Sequence, residues 1–213
     1  PSPVSNLFLD FDIKLPGLNV DSLAVNIDSV YFNIDKDYFS SVLHIKGVDA
    51  ADIHAKINTQ LDLEKWDKAF GLEPFDVKGN YKLQMTMDGK YATTIVQTGV
   101  RKTDTVIASV PVFNLQSSLS GGYFKYASLP QAVSGISFNL NASCPDSNYH
   151  HASLALDNIN ATALSNFIKG YIKISAANDF PVDANLQTVF HLADIKQFYP
   201  LDSIDLKGDL NVD

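Results

Sequence analysis

Residues 53–83 and 182–212 carry one pattern at a constant offset of 129 positions (182 − 53, 212 − 83), without a gap, and this repetition limits the fold more than any other feature. Each copy opens on alternate apolar or small residues: Ile53, Ala55, Ile57, Thr59, Leu61 and Leu63 in the first, Val182, Ala184, Leu186, Thr188, Phe190 and Leu192 in the second. Successive side chains of a strand point to opposite faces, so this period of two predicts a strand with one dry face. The period then changes to three and four. Trp66, Ala69 and Phe70 are answered by Ile195, Phe198 and Tyr199, which predicts about two turns of amphipathic helix in each copy. Gly71 ends the first helix and Pro200 the second. Alternation resumes through Phe75, Val77, Gly79, Tyr81 and Leu83, mirrored by Ile204, Leu206, Gly208, Leu210 and Val212. A second strand follows each helix.

The same offset holds from the first residue. Pro1, Val4 and Ser5 recur as Pro130, Val133 and Ser134, and Pro16, Asn19 and Asp28 recur as Pro145, Asn148 and Asp157. Leu7, Leu9, Phe11 and Ile13 correspond to Ile136, Phe138, Leu140 and Ala142. Residues 1–84 and 130–213 therefore read as one module written twice. This divides the chain into a first β module with a hairpin extension, 1–129, and a second copy, 130–213, truncated in its last strand. The strand reaching Met87 in the first copy would end at 216 (87 + 129) in the second, beyond Asp213, and no Met opens the chain, so the sequence reads as an excised fragment.

Taken in order, Leu7 to Leu15 alternates cleanly and is turned by Pro16-Gly17. Leu23, Val25 and Ile27 continue the pattern, and after Asp28-Ser29 the phase moves to Val30, Phe32 and Ile34, which predicts a bulge or tight corner. Val42, Leu43 and Ile45 form a short strand ended by Gly47, and the strand through Met85 and Met87 is predicted to turn at Asp88-Gly89. Shorter strands are expected around Thr94–Gln97, Val106–Val110, Val112–Leu115 and Tyr123–Tyr126, with Ser120-Gly121-Gly122 breaking the last two apart. The class is mainly β: an elongated, curved, antiparallel-rich sheet built from two tandem copies of one module, with a short helix in each.

Composition narrows the function. The chain has 213 residues, 46% of them hydrophobic, enough for a substantial core. Sixteen Lys and Arg against 24 Asp and Glu give a formal charge of −8, spread along the chain, which opposes nucleic acid as a partner. No stretch of 18 apolar residues occurs, so the fragment itself is not expected to span a membrane as a helix. Cys144 is the single cysteine and cannot form an internal disulfide.

Catalytic signatures are missing: there is no Gly-x-Ser-x-Gly, P-loop or dinucleotide fingerprint. His150-His151, near Asp146 and Cys144, is the one cluster with ligand chemistry, but neighbours on a strand point to opposite faces, so only a turn would let the two share an ion. His44, His54 and His191 are scattered, and the repeat sets Asp183 against His54 and Asp62 against His191, so no pair is duplicated. Asp10 with Asp12 and Asp35 with Asp37 alternate with apolar residues and read as solvated faces. Asn141-Ala-Ser143 and Asn160-Ala-Thr162 match the glycosylation triplet, a pattern common by chance. No enzyme activity, cofactor or metal is expected. Lys78 and Lys207 fall on the wet phase, where they serve edge protection or solubility, or contact a lipid headgroup. Gly79 and Gly208 lie on the dry phase and mark a bend or the close approach of another element, for which the helix is the natural candidate.

The remaining question is what covers the dry face, since so much apolar surface does not stay in water. A second sheet, giving a closed core and a structural or adhesive domain with no ligand, is one answer. Tandem copies in one register favour the other: a quasi-one-dimensional sheet whose apolar face is a continuous groove. The residues expected on it are Leu9, Phe11, Ile57, Leu61, Val77, Tyr81, Leu83, Phe138, Leu140, Leu186, Phe190, Leu206 and Leu210. Such a groove suits an acyl chain, each buried methylene contributing about 0.8 kcal/mol.

The run Gly122-Tyr-Phe-Lys-Tyr-Ala-Ser-Leu-Pro130, followed by Val133, Ile136, Phe138, Leu140 and Asn141, resembles the C-terminal region of AsmA-like envelope proteins of Gram-negative bacteria, in the form seen in Bacteroidetes. So do Leu192, Ala193-Asp-Ile195, Phe198-Tyr-Pro-Leu201 and Asp205-Leu-Lys-Gly208. The resemblance covers nearly the whole fragment through structural motifs. It implies a long curved sheet with a hydrophobic groove, a periplasmic or envelope location and an N-terminal membrane tether in the full-length protein. It also implies a part in outer-membrane assembly and phospholipid transport, with phospholipid or another acyl-chain lipid and envelope proteins as partners. Trp66 and Tyr199 are bulkier than many residues at such helix positions.

Overall fold

A computed structural model of the chain describes residues 3–177, 180–194 and 207–212. Five strands come first: β1 (Val4–Lys14), β2 (Ala24–Ile34), β3 (Asp37–Lys46), β4 (Asp52–Asp62) and, after helix α1 (Leu63–Phe70), β5 (Phe75–Lys90). A hairpin of β6 (Ala92–Gly99) and β7 (Lys102–Ser109) leads to β8 (Val112–Tyr126). Then come β9 (Val133–Cys144), β10 (Ser153–Ala163), β11 (Asn166–Ser175), β12 (Val182–His191) and β13 (Asp209–Val212). Eleven of these strands make one antiparallel sheet in the order β1-β2-β3-β4-β5-β8-β9-β10-β11-β12-β13, and β6 pairs only with β7. The expected mainly β, antiparallel architecture is what the chain adopts. β8 pairs with β9 from Phe113↔Cys144 to Phe124↔Val133, so the sheet continues unbroken past residue 129.

Local chemistry explains the element ends. Asp62 caps α1 by accepting a hydrogen bond from the Glu64 amide (3.3 Å), and Gly71 closes it in the left-handed conformation (φ 61°, ψ 53°) that glycine adopts without Cβ strain. The helix lies over one end of the dry face: the Trp66 ring sits 5.1 Å from Phe32, which stacks 5.4 Å from Phe39. The phase change after Asp28-Ser29 is a bulge, seen as register shifts between Asp10 and Phe11 against β2 and between Ile27 and Val30 against β3.

Four expectations are corrected. Asp88-Gly89 is not a turn; Gly89 pairs with Ile53 inside β5, which continues to Lys90. Ser120-Gly121-Gly122 does not split two strands but forms a bulge within the 15-residue β8. The element close to Gly79 is not the helix. A Cβ there would lie 2.9 Å from the Gly122 Cα of the neighbouring strand, so two glycines meet where β5 and β8 cross the bulge. Lys78 lies on an interior strand rather than an edge, its Nζ 3.9 Å from Glu64 Oε1 of α1. The predicted second helix (Ile195, Phe198, Tyr199, ended by Pro200) lies outside the described residues, as do Ile204 and Leu206; the three residues after β12, Leu192–Asp194, form a 3-10 turn.

Bounds and hydrogen bonds recur at the 129-residue spacing. β2 and β10 run 24–34 and 153–163, and β3 and β11 run 37–46 and 166–175. The Thr59 hydroxyl donates to Tyr38 O (2.7 Å) as Thr188 donates to Phe167 O (2.9 Å). The Asn19 side chain accepts from Asp21 N as Asn148 accepts from His150 N. Asp37, 6% exposed, accepts from Asp62 N (2.8 Å), and Asn166, also 6% exposed, accepts from His191 N (2.6 Å). An amide thus does in one place what a carboxylate does in the other. Asp37→Asn is therefore expected to keep the thermal midpoint near that of the parent, whereas Asp37→Ala, which orphans a shielded amide at the start of α1, lowers stability by about 1–3 kcal/mol in urea unfolding.

Very little of this sheet is enclosed. Among the described residues the buried hydrophobic side chains are Ile34, Ala51, Ala55 and Cys144. A compact protein of 23.3 kDa exposes about 9,700 Å², whereas this chain exposes 13387 Å². The difference accords with an open sheet: among the described residues no second sheet lies over it.

Candidate apolar lipid-binding face

Directly paired residues share a face, so register maps the dry side residue by residue. One row runs across ten strands: Leu9, Val30, Ser41, Ile57, Met85, Leu115, Ala142, Leu154, Ile174 and Val182, each paired with the next. Nine of the ten are apolar; Ser41 is the exception. At about 4.8 Å between strands the row is ~43 Å long, longer than the ~30 Å hydrocarbon thickness of a bilayer. Beside it runs Thr59, Leu83, Ser117, Leu140, Leu156, Ile172 and Ala184, and on the other side Phe11, Ile27, Leu43, Ala55, Met87, Phe113 and Cys144.

The expected face residues fall into these rows or next to them. Leu61, Tyr81, Leu119 and Phe138 make a fourth row, Phe190 pairs with Leu210, and Val77 pairs with Phe124 beyond the glycine bulge. Leu186 pairs with Gly170. Leu206 lies outside the described residues. Exposure alternates along β5, half-buried at Tyr81, Leu83, Met85 and Met87 and exposed at Lys82, Gln84, Thr86 and Asp88, because apolar neighbours on adjacent strands shield one another. At the β1 edge that shielding fails, and Leu9 and Phe11 are 56% and 58% exposed. Met85, Leu115, Leu154 and Ile174 were not singled out from sequence. Their alternation was visible, but which residue of one strand faces which of another depends on the bulges.

The opposite face is polar. His44 and His54, scattered in sequence, are cross-strand partners with rings 5.9 Å apart, held by Asp28 (2.9 Å) and Asp88 (2.7 Å). The antiparallel pairing of β3 with β4 brings them together, and pairing those two runs was the signal that could have found them. His150 and His151 sit in a 3-10 turn (Tyr149–His151), not on a strand, and still diverge: His150 Nδ1 meets Ala176 O (3.1 Å) and His151 Nδ1 meets Asp146 Oδ2 (2.7 Å). The His151 contact, helped by the Asn148 amide, holds the Asp146 carboxyl below its ordinary range. Burial pushes the Cys144 thiol up, away from the thiolate a nucleophile needs. Among the described residues no three His, Cys, Asp or Glu side chains converge as a metal site, and no helix is long and apolar enough to cross a membrane.

This arrangement can adsorb a long apolar chain through dispersion and dehydration, with no directional polar contact required. Comparison with protein-family models, curated proteins and solved structures returns no match to the chain.

Proposed function

We propose that this chain is a non-catalytic envelope module, two tandem copies of one β unit, that holds the acyl chains of a phospholipid or similar lipid along its apolar face. The observation that carries the reading is the ten-strand row from Leu9 to Val182 with no sheet above it among the described residues. The recurrence of strand bounds and capping bonds at 129 residues supports the duplication, and the resemblance to AsmA-like proteins supports a periplasmic setting and a role in outer-membrane assembly or phospholipid transport. An open sheet of eleven strands is at the limit of what stays extended without curling or packing, so an apolar occupant fits the face better than water does.

Native mass spectrometry of the purified protein, with displacement of a fluorescent fatty acid, tests this. Co-purifying phospholipid and saturable displacement are expected; a lipid-free protein that displaces no probe would defeat it and favour the structural or adhesive reading.

A further inference from the structure

Among the described residues the outer edge of β1 has no partner strand, and it repeats an edge that, inside the same sheet, is already occupied. β9 begins 129 residues after β1, and β8 lies along its outer side. In β9, Ile136, Phe138, Leu140 and Ala142 are half-buried. Their counterparts in β1, Leu7, Leu9, Phe11 and Ile13, are 69%, 56%, 58% and 62% exposed. The backbone is shaped alike: Asn6 and Gly135 both take positive φ (53° and 61°), and each sits in a bulge against the strand behind it, between Ser5 and Phe8 against β2 and between Ser134 and Ser137 against β10. An edge of eleven residues with free amides and carbonyls and an apolar side is a template for strand addition.

We propose that β1 pairs with the closing strand of a further copy of this module, the equivalent of β8, which continues the sheet and its apolar face. This rests on the duplication proposed above. The register follows from the β8–β9 pairs less 129: Leu9 faces the Leu119 position, Phe11 the Ser117 position and Leu7 the Gly122 position. The last pair carries specificity. A Cβ on Gly122 would lie 2.8 Å from Ile136 Cβ, so the incoming strand needs glycine opposite Leu7. Charged residues elsewhere guard sheet edges; here the inward row of β1 is wholly apolar.

The probe is a synthetic peptide of residues 112–126 with Leu119→Cys, offered to the full chain carrying Cys144→Ser and Leu9→Cys. Saturable binding is expected and, with oxidised glutathione added as the two-electron oxidant, a disulfide at position 9, with Asp10→Cys in place of Leu9→Cys reacting at least tenfold more slowly because it faces the other side. A Gly122→Val peptide should bind at least tenfold more weakly. No saturable binding, equal binding of the valine peptide, or cross-linking to a Phe138→Cys chain as fast as to Leu9→Cys, which would mean that the peptide displaced the resident β8, each overturns the proposal. Fatty-acid displacement measured on the same protein separates the two readings, since lipid binding without peptide binding removes only this one.

Discussion

Leu83→Lys is expected to abolish lipid binding and leave the protein folded and soluble. Leu83 lies mid-strand in β5 between Thr59 and Ser117, on the dry face and half-buried. Where no layer covers that face, a lysine extends its four-carbon stem along the sheet and keeps its ammonium in water, so the native state loses little. A seated acyl chain changes this, because the charge must then be desolvated against methylenes or the lipid must leave the row. A loss of at least tenfold in fatty-acid affinity, about 1.4 kcal/mol, is the expected floor. Phe138→Lys, in the neighbouring row with Leu119 and Tyr81, should behave alike. Gln84→Lys, one residue along β5 and on the opposite face, is the control and should leave affinity unchanged. Far-UV circular dichroism and fluorescent fatty-acid titration read the two effects separately. If Leu83→Lys instead unfolds or precipitates, the side chain belongs to a sealed core and the lipid proposal falls with the open face.

What sequence made legible here was what depends on period. Alternation located nearly every strand, and the switch to a period of three and four located α1 with its glycine stop. Among these, β2 and β3 share both bounds with β10 and β11 at an offset of 129. The misreadings share a different cause. Asp88-Gly89 and Ser120-Gly121-Gly122 read as punctuation because glycine is the usual turn residue, yet inside a long sheet glycine also serves where two strands crowd. A Cβ on Gly79 would strike Gly122 of β8, and one on Gly122 would strike Ile136 of β9. Local sequence cannot tell these uses apart, since the partner that crowds the glycine lies about forty residues away, as Gly122 does from Gly79. The same long-range pairing hid the His44–His54 contact and the ten-strand row. The candidate face was therefore legible as a set of residues, and its continuity was not.

Gly170→Ala is expected to be among the most damaging single substitutions in the chain, although it adds one methyl group. Gly170 pairs with Ile159 on one side and Leu186 on the other, with φ +147°. A Cβ built there would collide with the Asn185 carbonyl oxygen and lie 2.9 Å from its carbon, both backbone atoms that no rotamer change can move. Relief requires β11 and β12 to separate locally, breaking ladder hydrogen bonds, so a loss of more than about 3 kcal/mol is expected, in the range of severe steric substitutions. The residue 129 positions earlier is Ser41, which carries a side chain between Val30 and Ile57 in the equivalent place. The close approach is thus a property of β11 with β12 rather than of the shared pattern, and Ser41→Gly should cost only the roughly 1 kcal/mol of added backbone freedom. Gly121→Ala is the internal standard: its φ is +61° but nothing lies within 4 Å of the added carbon, so only the left-handed penalty of about 1–2 kcal/mol applies. Urea midpoints for the three variants should rank Gly170→Ala far below the other two. Equal midpoints for Gly170→Ala and Gly121→Ala would mean that β11 and β12 do not approach as closely as this register requires, and the dry-face rows that cross them would then need to be redrawn.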